Sequence, residues 1–426
     1  MLHKIIYKLG VTLRSPELIK HYNKLKESET WNKSELEKHQ VDKMKFLLKK
    51  AYSSSEFYKK KFDQYNVDIE RINSLEDFKN IPILTKKELL KYNKEIQNKN
   101  GYRKLFFSET SGSTGEALAF YRNSNWDAGH RAAQLRGYSW FGINPWEPSG
   151  YFWGYSFNLK KKNQTRFTDY LLNRFRLFSY DKEEIKKYAK KLEKAKYLEG
   201  YSSMIYEISK LINEEKMGPY DLKMVKGTSE KIFDSYQEES LKAFNKKIIS
   251  EYGAAETGII AFECKKGNMH ITMENVIVEV EDGEILVTNL LSESFPIIRY
   301  KLGDSVVIDE RAKCECGMEH SVIKEIVGRV GKLIYGNIKK YPSLTFYNIF
   351  KNLAIKHNII LNYQVIQKNK GEVEVFLDKE INKETRELVK EEFFSYFSND
   401  ICVIFPDELI QREYNGKFKD FVSMIN

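Results

Sequence analysis

Two groups of residues in this chain have the types and spacing to do chemistry. Between Ser108 and Gly115 it reads Ser-Glu-Thr-Ser-Gly-Ser-Thr-Gly, directly after the apolar run Leu105-Phe106-Phe107. A strand that runs into such a loop offers backbone N–H groups and hydroxyls where no Cβ blocks a ligand, which is what a phosphate chain requires. The plainer alternative is an ordinary Ser/Gly turn. A Walker loop is excluded, because no Gly-Lys-Ser/Thr follows at the required spacing. The second group is Cys264, His270, Cys314 and Cys316, three of the four cysteines and one of the seven histidines. Brought together across a β-rich region they could supply a tetrahedral Cys₃His set, closed to water and therefore structural. The Cys-x-Cys spacing is tighter than the usual zinc knuckle, His320 competes as a ligand, and reduced buried cysteines beside a surface histidine are the alternative. Cys402, in an apolar stretch, is expected to be a buried cysteine of that ordinary kind.

These residues need elements to position them. Ser34 and Glu37 form a capping-box pattern ahead of a helix to Tyr52, and Thr85 and Glu88 form another. Trp126 to Arg136 is predicted helical. From Asp181 to Lys216 the pattern is helical with a break at Gly200–Ser203, followed by a strand at Met224–Gly227, a helix at 235–244 and a strand at Lys247–Ile249. Asp282-Gly283 marks a tight hairpin between Val276–Val280 and Glu284–Thr288. A second hairpin flanks Lys370-Gly371, then a helix over 384–397 and a strand over 401–405 complete a series about the length of a small domain. Gly150 to Phe157 is rich in aromatic residues and reads as core packing or as the wall of a pocket for a flat ligand. In the first helix Leu2, Ile5, Ile6 and Leu9 line one face beside Lys4 and Lys8. Packing against the body of the protein is expected there, although the pattern also permits weak membrane contact.

Five short pieces then occur in a fixed order: Thr110–Gly115, Tyr252-Gly-Ala-Ala-Glu256, Arg299-Tyr-Lys-Leu-Gly-Asp304, Gly328-Arg-Val-Gly-Lys332 and Asn415-Gly-Lys417. In this order they resemble the core motifs of adenylate-forming enzymes, the acyl-CoA synthetase superfamily. The branch they resemble most contains phenylacetate–coenzyme A ligase and the CapK-type proteins of capsular polysaccharide biosynthesis. Ile81–Lys86, Tyr197–Ser203, Gly283–Leu290 and Phe295–Tyr300 match further landmarks, so the resemblance covers nearly the whole chain. It implies that Thr110, Ser111, Gly112, Ser113, Thr114 and Gly115 wrap the outer phosphates of ATP. Tyr252, with Gly253 beside it, would offer an aromatic face to adenine, and Ser229 and Glu230 lie in the segment that meets adenine. Glu256 would hold Mg²⁺ against the phosphates. Asp304 and Arg329 suit the ribose hydroxyls, and Lys417 would neutralise charge on the α-phosphate. Thr110, Glu256 and Lys417 are thus the catalytic candidates. Members of this branch carry cysteines at the Cys/His positions and some bind a structural metal, which favours zinc on Cys264, His270, Cys314 and Cys316. Two departures stand out: Glu116-Ala117-Leu118 follow the phosphate loop where Pro and Lys are usual, and Gly331-Lys332 stand where the hinge usually has an acidic residue.

The resemblance implies an α/β fold with a large multi-sheet adenylation domain over 1–327 and a small, mobile α+β lid over 328–426, the metal holding a β-subdomain near 260–320. It implies ATP-dependent activation of a small carboxylic acid and transfer to a thiol, coenzyme A being the expected acceptor and a carrier protein or amino sugar the alternatives. A nucleotide-binding scaffold of polysaccharide assembly is the rival reading. With 426 residues, 42% hydrophobic and 31% charged, the chain reads as globular, and its net charge of +10 suits an acidic ligand or an anionic surface. The basic residues are scattered, which argues against nucleic acid as the partner. Four cysteines make no disulfide framework and no signal peptide is evident, so a cytoplasmic setting is expected. A dimer is compatible with the sequence but not indicated by it.

Overall fold

The computed structural model describes residues 2–110, 118–152, 159–177, 182–329, 333–357, 359, 361–406, 408, 410 and 419–425, and only the backbone of 159–162, 329, 342, 344, 347, 348, 351, 354 and 355. The chain forms two compact units, one of Met1–Trp146 with Ser250–Ile326 and one of Glu147–Ile249 with Val327–Asn426.

The first unit opens with three helices, α1 (Leu2–Arg14), α2 (Glu17–Glu27) and α3 (Lys33–Ser54). The capping box of α3 is made by Asn32 and Glu35, not Ser34 and Glu37. Asn32 sits one residue outside the helix, where its amide oxygen accepts from the Glu35 N–H at 3.0 Å and its own N–H donates to the Glu35 carboxylate at 2.8 Å. Ser34 is already inside the first turn. The Thr85–Glu88 box is present as read from the sequence. No residue of α1 is buried. Of the face expected to pack, Leu2, Ile5 and Leu9 are exposed and Ile6 alone is half-buried. The helix meets the body through Tyr7 and Val11, so the expected packing is corrected for Leu2, Ile5 and Leu9.

Seven strands of this unit's sheet run in the order Val276–Glu281, Glu284–Asn289, Tyr300–Asp309, Val322–Arg329, Met269–Ile271, Gly258–Glu263 and Ile248–Ala254. The first two form the expected hairpin. Asp282 and Gly283 both take positive φ, 51° and 77°, which suits a tight two-residue connection between twisted antiparallel strands. A separate antiparallel ribbon pairs Leu105–Glu109 with Ala119–Asn123. Leu84 bonds both ways with the Arg299–Lys301 backbone, at 3.0 and 2.8 Å, and so ties the Ile81–Lys86 landmark to the strand that carries Asp304. Met44 and Leu48 of α3, Phe120 of the ribbon, Trp126 of the helix Ser124–Trp140, Ile260 of the sheet and Phe295, in the connection before the strand Tyr300–Asp309, share one apolar core.

The second unit contains a parallel set in the order Met224–Thr228, Tyr197–Tyr201, Ser149–Phe152 and Arg174–Arg176. Every residue of Tyr197–Tyr201 is buried, as a strand covered on both faces must be. The break expected at 200–203 is therefore this strand handing over to the helix Ser202–Glu214. Residues 327–426 add a four-stranded sheet ordered Cys402–Ile404, Glu372–Leu377, Tyr363–Gln367 and Phe421–Ser423, with helices Leu344–His357 and Lys383–Phe397 and a core of their own. The sequence pattern did not mark the helix over 344–357 or the strand over 421–423. Cys402 is exposed, which corrects its reading as a buried cysteine. It lies on an edge strand whose alternation turns Val403 inward and Cys402 and Ile404 out. No helix among the described residues is long and apolar enough to cross a membrane.

Candidate nucleotide site and metal centre

Strand Ile248–Ala254 brings Tyr252 into the first unit's sheet, where a register shift between Tyr252 and Gly253 interrupts its antiparallel pairing with Gly258–Glu263. Such a bulge re-aims the side chains beside it. Gly253 makes the shift feasible: a Cβ there would collide with the Gly258 carbonyl oxygen. Tyr252 is half-buried and its hydroxyl donates to Asp304 Oδ2 at 2.8 Å. Asp304 is buried on the strand Tyr300–Asp309 of the same sheet. The tyrosine thus fixes one oxygen of a carboxylate while its ring stands beside it.

Glu256 lies in the turn between the same two antiparallel strands and is buried. Tyr300 donates its hydroxyl to Glu256 Oε1 at 3.3 Å, and Asn289 Nδ2 donates to the Glu256 carbonyl at 3.4 Å. Tyr300 belongs to the Phe295–Tyr300 landmark, and its contact with Glu256 was not legible as a pairing. Its neighbour Arg299 is buried with φ of 45°, a strained value for a side chain of this size. Its guanidinium donates to the Lys79 and Ile81 carbonyls at 2.5 and 2.6 Å and pairs with Glu279 and Glu281, both at 3.0 Å. That anchor holds the start of the Asp304 strand.

Thr110 closes the base of the Ser/Gly loop. Its N–H donates to the Leu118 carbonyl at 3.0 Å, and the Leu118 N–H donates to Thr110 Oγ1 at 2.9 Å. Ser111, Gly112, Ser113, Thr114, Gly115, Glu116 and Ala117 lie outside the described residues, as do Gly331, Lys332 and Lys417. In the second unit Ser229 takes φ of 65° just after the strand Met224–Thr228. Glu230 then reaches the start of the helix Ser202–Glu214, accepting the Ser203 N–H at 2.9 Å, a favourable place for a carboxylate. Arg329 ends the strand Val322–Arg329.

The Cys/His residues converge. Single ligand atoms of Cys264, His270, Cys314 and Cys316 lie within 4.8 Å of one another. Cys264 Sγ is 3.7 Å from Cys314 Sγ, and Cys316 Sγ is 3.2 Å from His270 Nε2. A disulfide is excluded by that sulfur separation, whereas thiolates about 2.3 Å from one tetrahedral ion stand about 3.8 Å apart. His270 Nδ1–H donates to the His320 carbonyl at 3.3 Å, which leaves the Nε2 lone pair facing the sulfurs. Burial lowers the His270 pKa to about 4, so the ring is neutral, and raises the Cys316 thiol to about 12 in the absence of a cation. Asn268 donates to Cys314 Sγ at 3.2 Å.

The side chain of His320 is directed elsewhere. Its Nε2 donates to Glu274 Oε1 at 2.8 Å, where Arg136 Nη1 also donates at 2.6 Å and the Ser28 hydroxyl completes the set. Arg136, Glu274 and His320 are all fully enclosed. Burial would raise the Glu274 pKa, but Arg136, His320 and Ser28 overcome it and hold the carboxyl well below the usual range. Nothing in the sequence spacing pointed to this network, which links the residue capping the end of α2, the helix Ser124–Trp140 and the segments beside the candidate metal ligands.

This fold, in which Tyr252 is hydrogen-bonded to a carboxylate on the same sheet, is shared with a solved CoA ligase. One solved structure with the same fold is 2-hydroxyisobutyryl-CoA ligase in its postadenylation state with an acyl-AMP ligand, with a TM-score of 0.72 at 15% identity over 93% of this chain and 91% of the other. The same ligase with 2-HIB-AMP and CoA in the thioesterification state gives a TM-score of 0.62 at 17% identity over the same shares, 93% and 91%. In sequence the chain is similar to Protein CapK of Staphylococcus aureus, 25% identical over 345 residues, which are 76% of this chain and 74% of that protein. No family model matches the chain.

Proposed function

We propose that the protein is an AMP-forming acid–thiol ligase. The observation that carries this reading is the hydrogen-bonded Tyr252–Asp304 pair, beside the Tyr300–Glu256 pair, in a fold shared with a CoA ligase over 93% of the chain. In the first half-reaction a carboxylate oxygen of the acid attacks the α-phosphorus of ATP. The bond to the bridging oxygen breaks, and acyl-adenylate and pyrophosphate result. In the second, a thiol sulfur attacks the acyl carbon, the C–O bond to AMP breaks, and the thiol proton leaves to solvent. Coenzyme A is the acceptor we assign; the ligase of like fold has been solved with CoA bound.

The residue roles are those the motif resemblance implies, and each suits the chemistry of its side chain. Tyr252 stacks on adenine while its hydroxyl orients Asp304 toward the ribose hydroxyls, joined there by Arg329. Ser229 and Glu230 border the base with backbone groups, since the Glu230 carboxylate is engaged at a helix start. Thr110 and residues 111–115 hold the outer phosphates. Glu256, a buried carboxylate oriented by Tyr300, has the hard oxygen donor that Mg²⁺ prefers, and the ion when bound would offset phosphate charge. Lys417, on the lid formed by residues 328–426, stabilises charge developing at the α-phosphate. Cys264, His270, Cys314 and Cys316 fit zinc in donor type, separation and His tautomer. A four-ligand set has no open position, so the ion would be structural. The likeness to Protein CapK supports a setting in polysaccharide biosynthesis. Incubation with ATP, coenzyme A and a panel of carboxylic acids tests the reading: AMP and an acyl-CoA should form together with one class of acid. ADP formation, or ATP binding with no product from any acid, would contradict it and favour a scaffold.

A further inference from the structure

Helix α1 is apolar on two sides, and only one of them is used. Tyr7 and Val11 turn inward; Tyr7 meets Trp146 with ring centroids 5.7 Å apart, and Val11 packs against the cluster of Leu18, Leu25, Ala132 and Ile259. On the opposite side Leu2, Ile5, Leu9 and Leu13 are 58%, 51%, 58% and 84% exposed. Their spacing of three, four and four places them in a single stripe along the helix. Aliphatic side chains exposed singly need no explanation, but a continuous stripe on one helix does.

The charge on α1 says what covers it. The helix contains Lys4, Lys8 and Arg14 and no acidic residue. The Lys4 ammonium is 5.4 Å from the Trp146 ring centroid and Arg14 is 5.9 Å from that of Phe106, while Lys8 is exposed. All three basic residues are exposed, so a second copy seated on this stripe would meet cations on α1 and no acidic residue of that helix to offset them. An anionic lipid surface does the reverse, since it accepts the leucines among its acyl chains and neutralises the basic residues. Thirteen residues span about 20 Å, too short to cross a bilayer core of about 30 Å, so the helix would lie in the plane of the interface. We propose that α1 is a membrane-surface helix that docks this protein on anionic lipid through Leu2, Ile5, Leu9 and Leu13.

Co-sedimentation of the full chain with extruded vesicles tests this. Equimolar phosphatidylglycerol and phosphatidylcholine should carry the protein down, pure phosphatidylcholine should not, and added salt should weaken the binding. The double variant Leu9→Glu/Leu13→Glu should bind at least ~10-fold more weakly with an unchanged melting temperature, because both side chains already face water. Lys8→Glu, which alters only an exposed charge, should weaken binding less and supplies the same test should the double variant misfold. The proposal is overturned if the wild type ignores anionic vesicles or if the variants bind as well as it does. It is equally overturned if the wild type is a dimer in solution that Leu9→Glu/Leu13→Glu dissociates, since a second copy would then cover the stripe.

Discussion

At the scale of single residues the account rests on a few side chains held in one orientation each. Lys417→Ala should lower acyl-adenylate formation by ~10²–10³, the usual cost of one charge-stabilising donor. Transfer from supplied acyl-adenylate to coenzyme A should continue, and quenched-flow assays of the two half-reactions would separate the effects; equal loss in both would refute the role. Gly253→Ala places a methyl group against the Gly258 carbonyl, so the two strands must part. Overpacking of this kind costs ~1–3 kcal/mol, and because the register shift aims Tyr252, ATP affinity measured by calorimetry should fall with stability. Glu274 gives a pH signature. Its carboxyl is held below its ordinary pKa of 4.5, so its contribution to stability is complete above that pH and is lost as the pH falls below it. Glu274→Gln leaves Arg136 buried without its counter-charge and should cost ~3–5 kcal/mol at pH 7. Urea midpoints recorded against pH should show that deficit narrowing in acid, and a deficit independent of pH would contradict the ionised pair.

At the scale of elements, what was legible is what depends on local pattern. The Asp282-Gly283 hairpin, the Thr85–Glu88 cap and the strand Met224–Thr228, read as ending one residue early at Gly227, are set by turn chemistry and short-range periodicity, which sequence carries directly. The α3 cap was misplaced by two residues, because Ser34/Glu37 and Asn32/Glu35 satisfy the same spacing rule and only the backbone path chooses between them. Cys402 was misread because an apolar run does not say whether its strand is central or at an edge. The Arg136–Glu274–His320–Ser28 network was invisible, since it joins positions up to 246 residues apart and no local signal marks them. The four candidate metal ligands, by contrast, could be named from residue type, and the fold supplies the convergence. Protein purified without added zinc should contain about one equivalent of metal by mass spectrometry. Cys314→Ser/Cys316→Ser should lose it and melt at lower temperature, whereas sub-stoichiometric metal unaffected by those changes would count against the centre.

At the scale of the whole molecule, the order of five weak motifs along 426 residues points to one fold where no single motif does, and that fold is shared over 93% of this chain with a solved CoA ligase. The composition, with basic and acidic residues nearly balanced, gave only the permissive statement that an anionic ligand suits the chain. The central claim is that this chain makes an acyl-adenylate reversibly. The measurement that tests it most directly is exchange of labelled pyrophosphate into ATP, run with and without each member of a broad panel of carboxylic acids. The account predicts exchange that depends on magnesium and on one class of acid, needs no coenzyme A, and is lost in Lys417→Ala. ATP binding with no acid-dependent exchange anywhere in the panel would contradict it.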